Sequence, residues 1–180
     1  TGWQFIKPAR YWVGGGADTK WTSANWATST GGPNTASVPD HSFDVYFDAS
    51  FAGVSVIFAN ITIKSLNTTG YTGTITQNAA ITLTIGDDIN AGATNIALKL
   101  AAATVSFNAT SIVSFVSNAP VVQTIDWGGI STGNVIFNGT GSWQYTTAHT
   151  TGANTNTVTL PMGTLDTNGQ PCSWGLFGST

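Results

Sequence analysis

Apolar and polar residues alternate in short runs along most of the chain. Ile61-Thr-Ile63, Thr74-Ile-Thr76, Ile81-Thr-Leu-Thr-Ile85, Val105-Ser-Phe107, Val121-Val-Gln-Thr-Ile125, Val135-Ile-Phe137 and Val158-Thr-Leu160 hold close to a period of two, with Gly, Asn, Asp and Ser between them. That period puts alternate side chains on opposite faces of a strand. Thr is the usual polar partner, and its β-branched side chain suits a pleated, half-wet surface. Ala91 to Ala103 carries alanines that would favour a helix, yet Ile96, Leu98 and Leu100 keep the two-residue step, so this stretch also reads as strand. The chain is predicted to be all-β.

Two layouts can hold such strands. Expected strand starts near 54, 61, 73, 81, 96, 104, 112, 121, 135, 143 and 157 lie about 7 to 15 residues apart, a spacing that suits successive faces of a stacked coil. Val56-Ile-Phe58-Ala-Asn60 is echoed by Val135-Ile-Phe137-Asn-Gly139, a weak internal repeat. A β-sandwich or jelly roll would use longer strands and regular hairpin turns, and Asn-Gly occurs only at Asn138-Gly139 and Asn168-Gly169. A parallel β-solenoid is the expected architecture, with the sandwich or jelly roll as its alternative.

Residues 1–50 differ from residues 51–180. Trp3, Trp12, Trp21 and Trp26 put four of the seven tryptophans there, beside Gly14-Gly-Gly16, Gly31-Gly-Pro33 and Pro39. A solenoid must cover the apolar cross-section at its end, and bulky aromatics on irregular loops can do so. Residues 1–50 are therefore expected to form an aromatic, Gly-rich cap, and residues 51–180 the repeats. The competing use of the same tryptophans is a stacking platform for glycans or a protein partner. Trp127, Trp143 and Tyr145, beside small polar residues in Asp126-Trp-Gly-Gly-Ile130 and Ser142-Trp-Gln-Tyr145, divide in the same way between packing and contact. The contact candidates are thus Trp12, Trp21, Trp26, Trp127, Trp143 and Tyr145.

Composition narrows the function. Only 7% of the 180 residues are charged, the net charge is −3, and all eight acids are Asp. Typical domains carry about 25% charged residues. Five cations are too few for a basic nucleic-acid groove, so no nucleic acid is expected as a partner. No apolar run approaches the ~18 residues of a membrane-spanning helix. Low charge with a quarter Ser plus Thr fits an extracellular or virion surface.

Candidate chemistry is sparse. In Asp40-His41-Ser-Phe-Asp44-Val-Tyr-Phe-Asp48, a strand would place Asp44 and Asp48 on one face, where paired carboxylates could hold Ca²⁺ or serve as a glycosidase pair. Alternatively Asp40 and Asp48 bracket the strand and accept backbone N–H bonds at its turns. Asp87-Asp88 after Gly86 reads as a turn, with a weak calcium site as the alternative. His41, His149 and the lone Cys172 match no zinc spacing, and no nucleophile elbow or phosphate loop is present. Sequons at Asn60, Asn67, Asn108 and Asn138 are about as many as this composition produces by chance. No catalytic residue, resident metal or cofactor is expected.

Tyr11-Trp-Val-Gly-Gly-Gly16, Trp21, Trp26, Gly31-Gly32, Val38-Pro-Asp40 and Asp44-Val-Tyr-Phe-Asp48 together resemble the opening segment of repetitive β-solenoid proteins from phage virions and bacterial surfaces. These include adhesins, fibre-like and tail-associated proteins. Leu66 to Ile75 and Gly163 to Gly169 resemble their repeat units. The resemblance implies a non-enzymatic structural or adhesive role, as a phage fibre, tail-associated or capsid-decorating protein. It also implies partner subunits in the virion or surface assembly, a homo-oligomer (a trimer at family level) and a host glycan or receptor. The same features fit a bacterial cell-surface adhesin or filament segment and, further off, a polysaccharide-binding or polysaccharide-degrading solenoid. The chain is expected to be either a short member or a fragment of a longer protein.

Overall fold

Strands form where the alternation is cleanest, and they pair in parallel with the coil above and below. The computed structural model describes residues 8–86, 95–100 and 104–179. It opens with β1 (Ala9–Trp12) and β2 (Trp26–Ala27). Six coils of three strands follow. They are β3 (Asp44–Tyr46), β4 (Val54–Ile57), β5 (Ile61–Ile63); β6 (Ser65–Asn67), β7 (Thr74–Gln77), β8 (Thr82–Ile85); and β9 (Ile96–Lys99), β10 (Thr104–Phe107), β11 (Ile112–Phe115). The last three are β12 (Val122–Asp126), β13 (Ser131–Thr132), β14 (Asn134–Phe137); β15 (Ser142–Tyr145), β16 (His149–Thr151), β17 (Thr157–Leu160); and β18 (Thr164–Asp166), β19 (Cys172–Ser173), β20 (Leu176–Ser179).

From β3 to β17 each strand except β10 pairs with the strand three later. The first wall runs β3-β6-β9-β12-β15-β18 and the third β5-β8-β11-β14-β17-β20. The second wall is in two pieces, β4-β7-β10 and β13-β16-β19, with β13 lying beside β10 without a ladder. Among the described residues every ladder is parallel except β1 with β2. This is the all-β, parallel β-solenoid expected from the spacing. Ala97 is an extra residue in β9, where the register with β12 shifts between Thr124 and Ile125, so Ala97 and Leu98 are both buried.

The core is a set of columns. On the third wall Leu83, Val113, Val135, Val158 and Phe177 stack through the ladders, beside Ile63, Ile85, Phe115, Phe137 and Leu160. On the first wall Val45, Leu66, Leu98, Ile125 and Tyr145 do the same. Like side chains meet at the strand separation, so Phe115 lies flat on Phe137 with centroids 5.1 Å apart. Between walls the backbones of successive coils close in. A Cβ at Gly86 would stand 1.7 Å from the Val116 carbonyl oxygen, and one at Gly128 1.8 Å from that of Leu100, so only Gly fits these corners.

The apparent sequence repeat does not follow the coils. Val56 to Asn60 lies on and after β4 of the second wall, with Ile57 buried and Phe58 half exposed, whereas Val135 and Phe137 are both buried in β14 of the third wall. Gly70 to Ile75 leads into β7, and Gly163 to Gly169 spans β18, again on different walls. Equivalent positions are set by pairing across coils whose first strands start 21, 31, 26, 20 and 22 residues apart.

At the start of the stack, β1 pairs in parallel with β3 and β2 in antiparallel with β1, while Lys20 forms a parallel bridge to Val56. Trp12 of β1, Trp26 of β2 and Trp21 in the loop between them close onto Phe47, with ring centroids 5.3 to 5.8 Å from that phenyl. The Trp21 indole donates to Ser55 Oγ and that of Trp26 to the Trp21 carbonyl, so two of the buried N–H groups are satisfied.

Candidate functional site

The six aromatic residues considered as contacts all lie in the core. Trp12, Trp21, Trp26, Trp127, Trp143 and Tyr145 are 0 to 1% exposed. Their faces are taken by one another and by Phe47, Phe115 and Phe137, which leaves none for a sugar ring. The reason is the coil: positions that alternate inward receive the bulkiest side chains, and an inward Trp looks the same in sequence as an outward one.

The aspartates turn corners. Asp40 Oδ1 accepts from the Ser42 amide at 2.9 Å and its hydroxyl at 2.6 Å, which holds its carboxyl below the usual carboxylate range. Asp48 accepts from the Ser50 amide at 2.8 Å, so Asp40 and Asp48 do bracket the strand. Because β3 ends at Tyr46, Asp48 lies in the turn rather than on the strand with Asp44. Asp44 is buried and accepts from Ser65 Oγ at 2.6 Å in the next coil. Asp87 and Asp88 lie outside the described residues. Among the described residues no three His, Cys, Asp or Glu side chains gather as metal ligands.

The same turn chemistry recurs through the stack. Asn67, Asn108, Asp126 and Asp166 each accept the amide two residues on. Asn60, Asn118 and Asn134 instead reach across to the amides of Thr82, Thr140 and Thr157 in the next coil, at 2.8 to 2.9 Å. These bonds account for the abundance of Asn, Asp and Thr.

On the outer face of the first wall, Ile96, Leu98, Lys99, Thr124, Asp126 and Thr146 line an open groove of about 220 Å³. Lys99 and Asp126 are direct cross-strand neighbours. Asp126 is engaged by the Gly128 amide at 2.9 Å and the Thr147 hydroxyl at 3.0 Å. The groove therefore offers an ammonium, hydroxyls and a small apolar floor, chemistry suited to weak polar contact.

The densest polar arrangement is buried where the second wall meets the aromatic core. His149 of β16 is fully buried and stacks on Trp127 at 4.2 Å and 14°. Its Nδ1 accepts the Trp174 indole N–H at 3.0 Å. An indole can only donate, so the ring is neutral with its proton on Nε2, which donates to Thr132 Oγ1 at 3.0 Å. Thr132 in turn donates to the Gly133 carbonyl at 3.2 Å. The relay crosses three coils, from Trp174 between β19 and β20, through β16, to β13. Burial pushes the His149 pKa down to about 4 and raises that of the Tyr145 hydroxyl, which lies 3.3 Å from Nδ1. An unfolded imidazole titrates near pH ~6.5. The unfolded chain thus binds the proton first, and this group's contribution to stability falls as pH drops from that value towards 4. His149 has no partner at metal-ligand spacing in the sequence. Its partners are an indole, a hydroxyl and a ring face, which no spacing announces.

No helix among the described residues is long and apolar enough to cross a membrane. Comparison of the chain with known protein families, with curated proteins and with solved structures finds no match.

Proposed function

We propose that the protein is a non-enzymatic structural and adhesive component of a phage virion, acting at the particle surface as a fibre, tail-associated or capsid-decorating subunit. The observation that supports this reading is the build of the stack. Two walls run unbroken through six parallel coils, and Asn side chains bond one coil to the next. Backbone groups satisfied in this way resist local opening and proteolysis. Low charge leaves wall surfaces able to lie against copies of the chain or against a shell beneath, and repeated display raises weak contacts by avidity. With Trp12, Trp21, Trp26, Trp127 and Trp143 inside, contact with a host glycan or receptor falls to the outer walls, such as the groove around Lys99. The resemblance of residues 11–48 supplies the phage setting and the expectation of a homo-oligomer.

Immunogold electron microscopy with an antibody to this chain tests the reading on a culture and its particle fraction. Label on virions is expected, and its position on capsid, neck or tail separates decoration from receptor binding. Label confined to cell envelopes or secreted filaments would overturn the phage setting in favour of a bacterial surface adhesin.

A further inference from the structure

We propose that His149 is a proton-operated latch between the fifth and sixth coils, holding Trp174 and the strands on either side of it while neutral and releasing them when protonated. The argument is geometric. Trp174 lies between β19 and β20, and its indole N–H meets the Nδ1 lone pair of His149 at 3.0 Å. An acid proton taken from solvent adds to that same lone pair. Two N–H groups then point at each other across the distance of one hydrogen bond, and the indole loses its acceptor.

Among the described residues, the groups that contact the ring are all uncharged. The second wall faces it with the Thr132 hydroxyl from β13 and with Cys172 of β19, directly opposite in the ladder. β15 supplies the Tyr145 hydroxyl, and the turn after β12 supplies the Trp127 ring. Burial raises the pKa of both Tyr145 and Cys172, so both are uncharged as the ring titrates. The carboxylates nearest in sequence on either side are Asp166 of β18, held in the exposed region by the Gln144 amide group and the Asn168 amide, and Asp126, held by the Gly128 amide and Thr147 hydroxyl. Tyr145 can turn its oxygen to accept from the new Nδ1–H at 3.3 Å, a contact that further excludes Trp174.

The opening is local because the sixth coil is lightly held. Leu176 and Phe177 are 58% and 52% exposed, and Trp174 rests on Phe177 with centroids 5.3 Å apart. The inner coils have no such surface: Val113, Phe115 and Val135 are fully buried and paired on both sides. Stretches with few buried contacts open first.

Solution NMR on the intact chain tests the latch, following the His149 ring, the Trp174 indole proton and the amides of β11, β14 and β20 from pH 7 to 3.5. The expected result is a loss of exchange protection of about tenfold or more at the Trp174 indole and β20, in step with the His149 titration, while β11 and β14 hold. His149→Gln should remove the acid step. Trp174→Phe should leave β20 poorly protected already at pH 7, a result that does not depend on the histidine variant folding. Titration of His149 with β20 unchanged would overturn the proposal. So would the same acid step in His149→Gln, or β11 and β14 opening together with β20.

Discussion

The beginning of the stack and its sixth coil solve the same problem with different means. At the beginning, β1 and β2 cover the first wall and Lys20 bridges the second, while three tryptophans close on Phe47 until all four are at most 1% exposed. In the sixth coil the inward column of the third wall ends on Phe177, half exposed, with Leu176 beside it. One position upstream in that column, Val158 is fully buried because β20 lies over it. Burial of a given side chain therefore depends on whether a further layer covers its coil, and the aromatic cap supplies that layer where no coil does. A buried Phe or Trp contributes about 1.5 to 3 kcal/mol or more through the apolar area it removes from water. Stability is consequently expected to be concentrated under the cap and along the inner coils.

The sharpest way to break this comparison is Phe47→Ala. The ring touches Trp12, Trp21, Trp26 and Tyr71, so its removal leaves a cavity walled by four aromatics that cannot collapse together. A loss of about 3 to 5 kcal/mol is expected, read as a lower urea midpoint in unfolding followed by tryptophan fluorescence. A loss under about 1 kcal/mol would mean that the aromatic cluster does not carry the beginning of the stack.

How much of this was legible in sequence follows from the same physics. Most strands of four or five residues alternate long enough to be seen, β1 and β20 excepted, and β4, the three-residue β5, β7 to β12, β14, β15 and β17 start within one residue of their expected positions. The two- and three-residue strands β6, β13, β16, β18 and β19 have too little sequence to alternate, so much of the second wall was invisible. Coil equivalence was misread in Val56 to Asn60 and Val135 to Gly139 because pairing is fixed by walls, not by local likeness. The tryptophans suggested packing first, with contact as the competing use, since both need a large ring. The His149 relay joins residues 132, 149 and 174, which become neighbours only once parallel coils have stacked.

A second test moves from the cap to the contact between inner coils. Gly128 sits at φ +60° with a Cβ-sized space filled by the Leu100 carbonyl, and Asp126 accepts its amide. Gly128→Ala forces that corner away from the coil before it, at a cost of at least about 2 kcal/mol. The effect should be visible as a lower thermal midpoint with unchanged β-sheet circular dichroism at 20 °C, roughly the temperature of maximal stability for many domains. An unchanged midpoint would mean that the corner relaxes freely and that the coils are not locked through their turns.

The smallest effect is expected at the far side of the comparison. Phe177 occupies the same inward column as Val135 and Val158, yet half of its surface already meets water, and its aromatic partner is Trp174 alone among the described residues. Phe177→Ser therefore forfeits one ring contact and about half of a phenylalanine's buried area, a loss of about 1 to 2 kcal/mol. Val158 loses some cover, but the ladder between β17 and β20 is main-chain and survives the substitution. The discriminating measurement is the ratio of the two phenylalanine effects under one urea protocol. A Phe177 loss comparable to that of Phe47 would show that the sixth coil is covered in solution by another layer, and the asymmetry between the two regions would disappear.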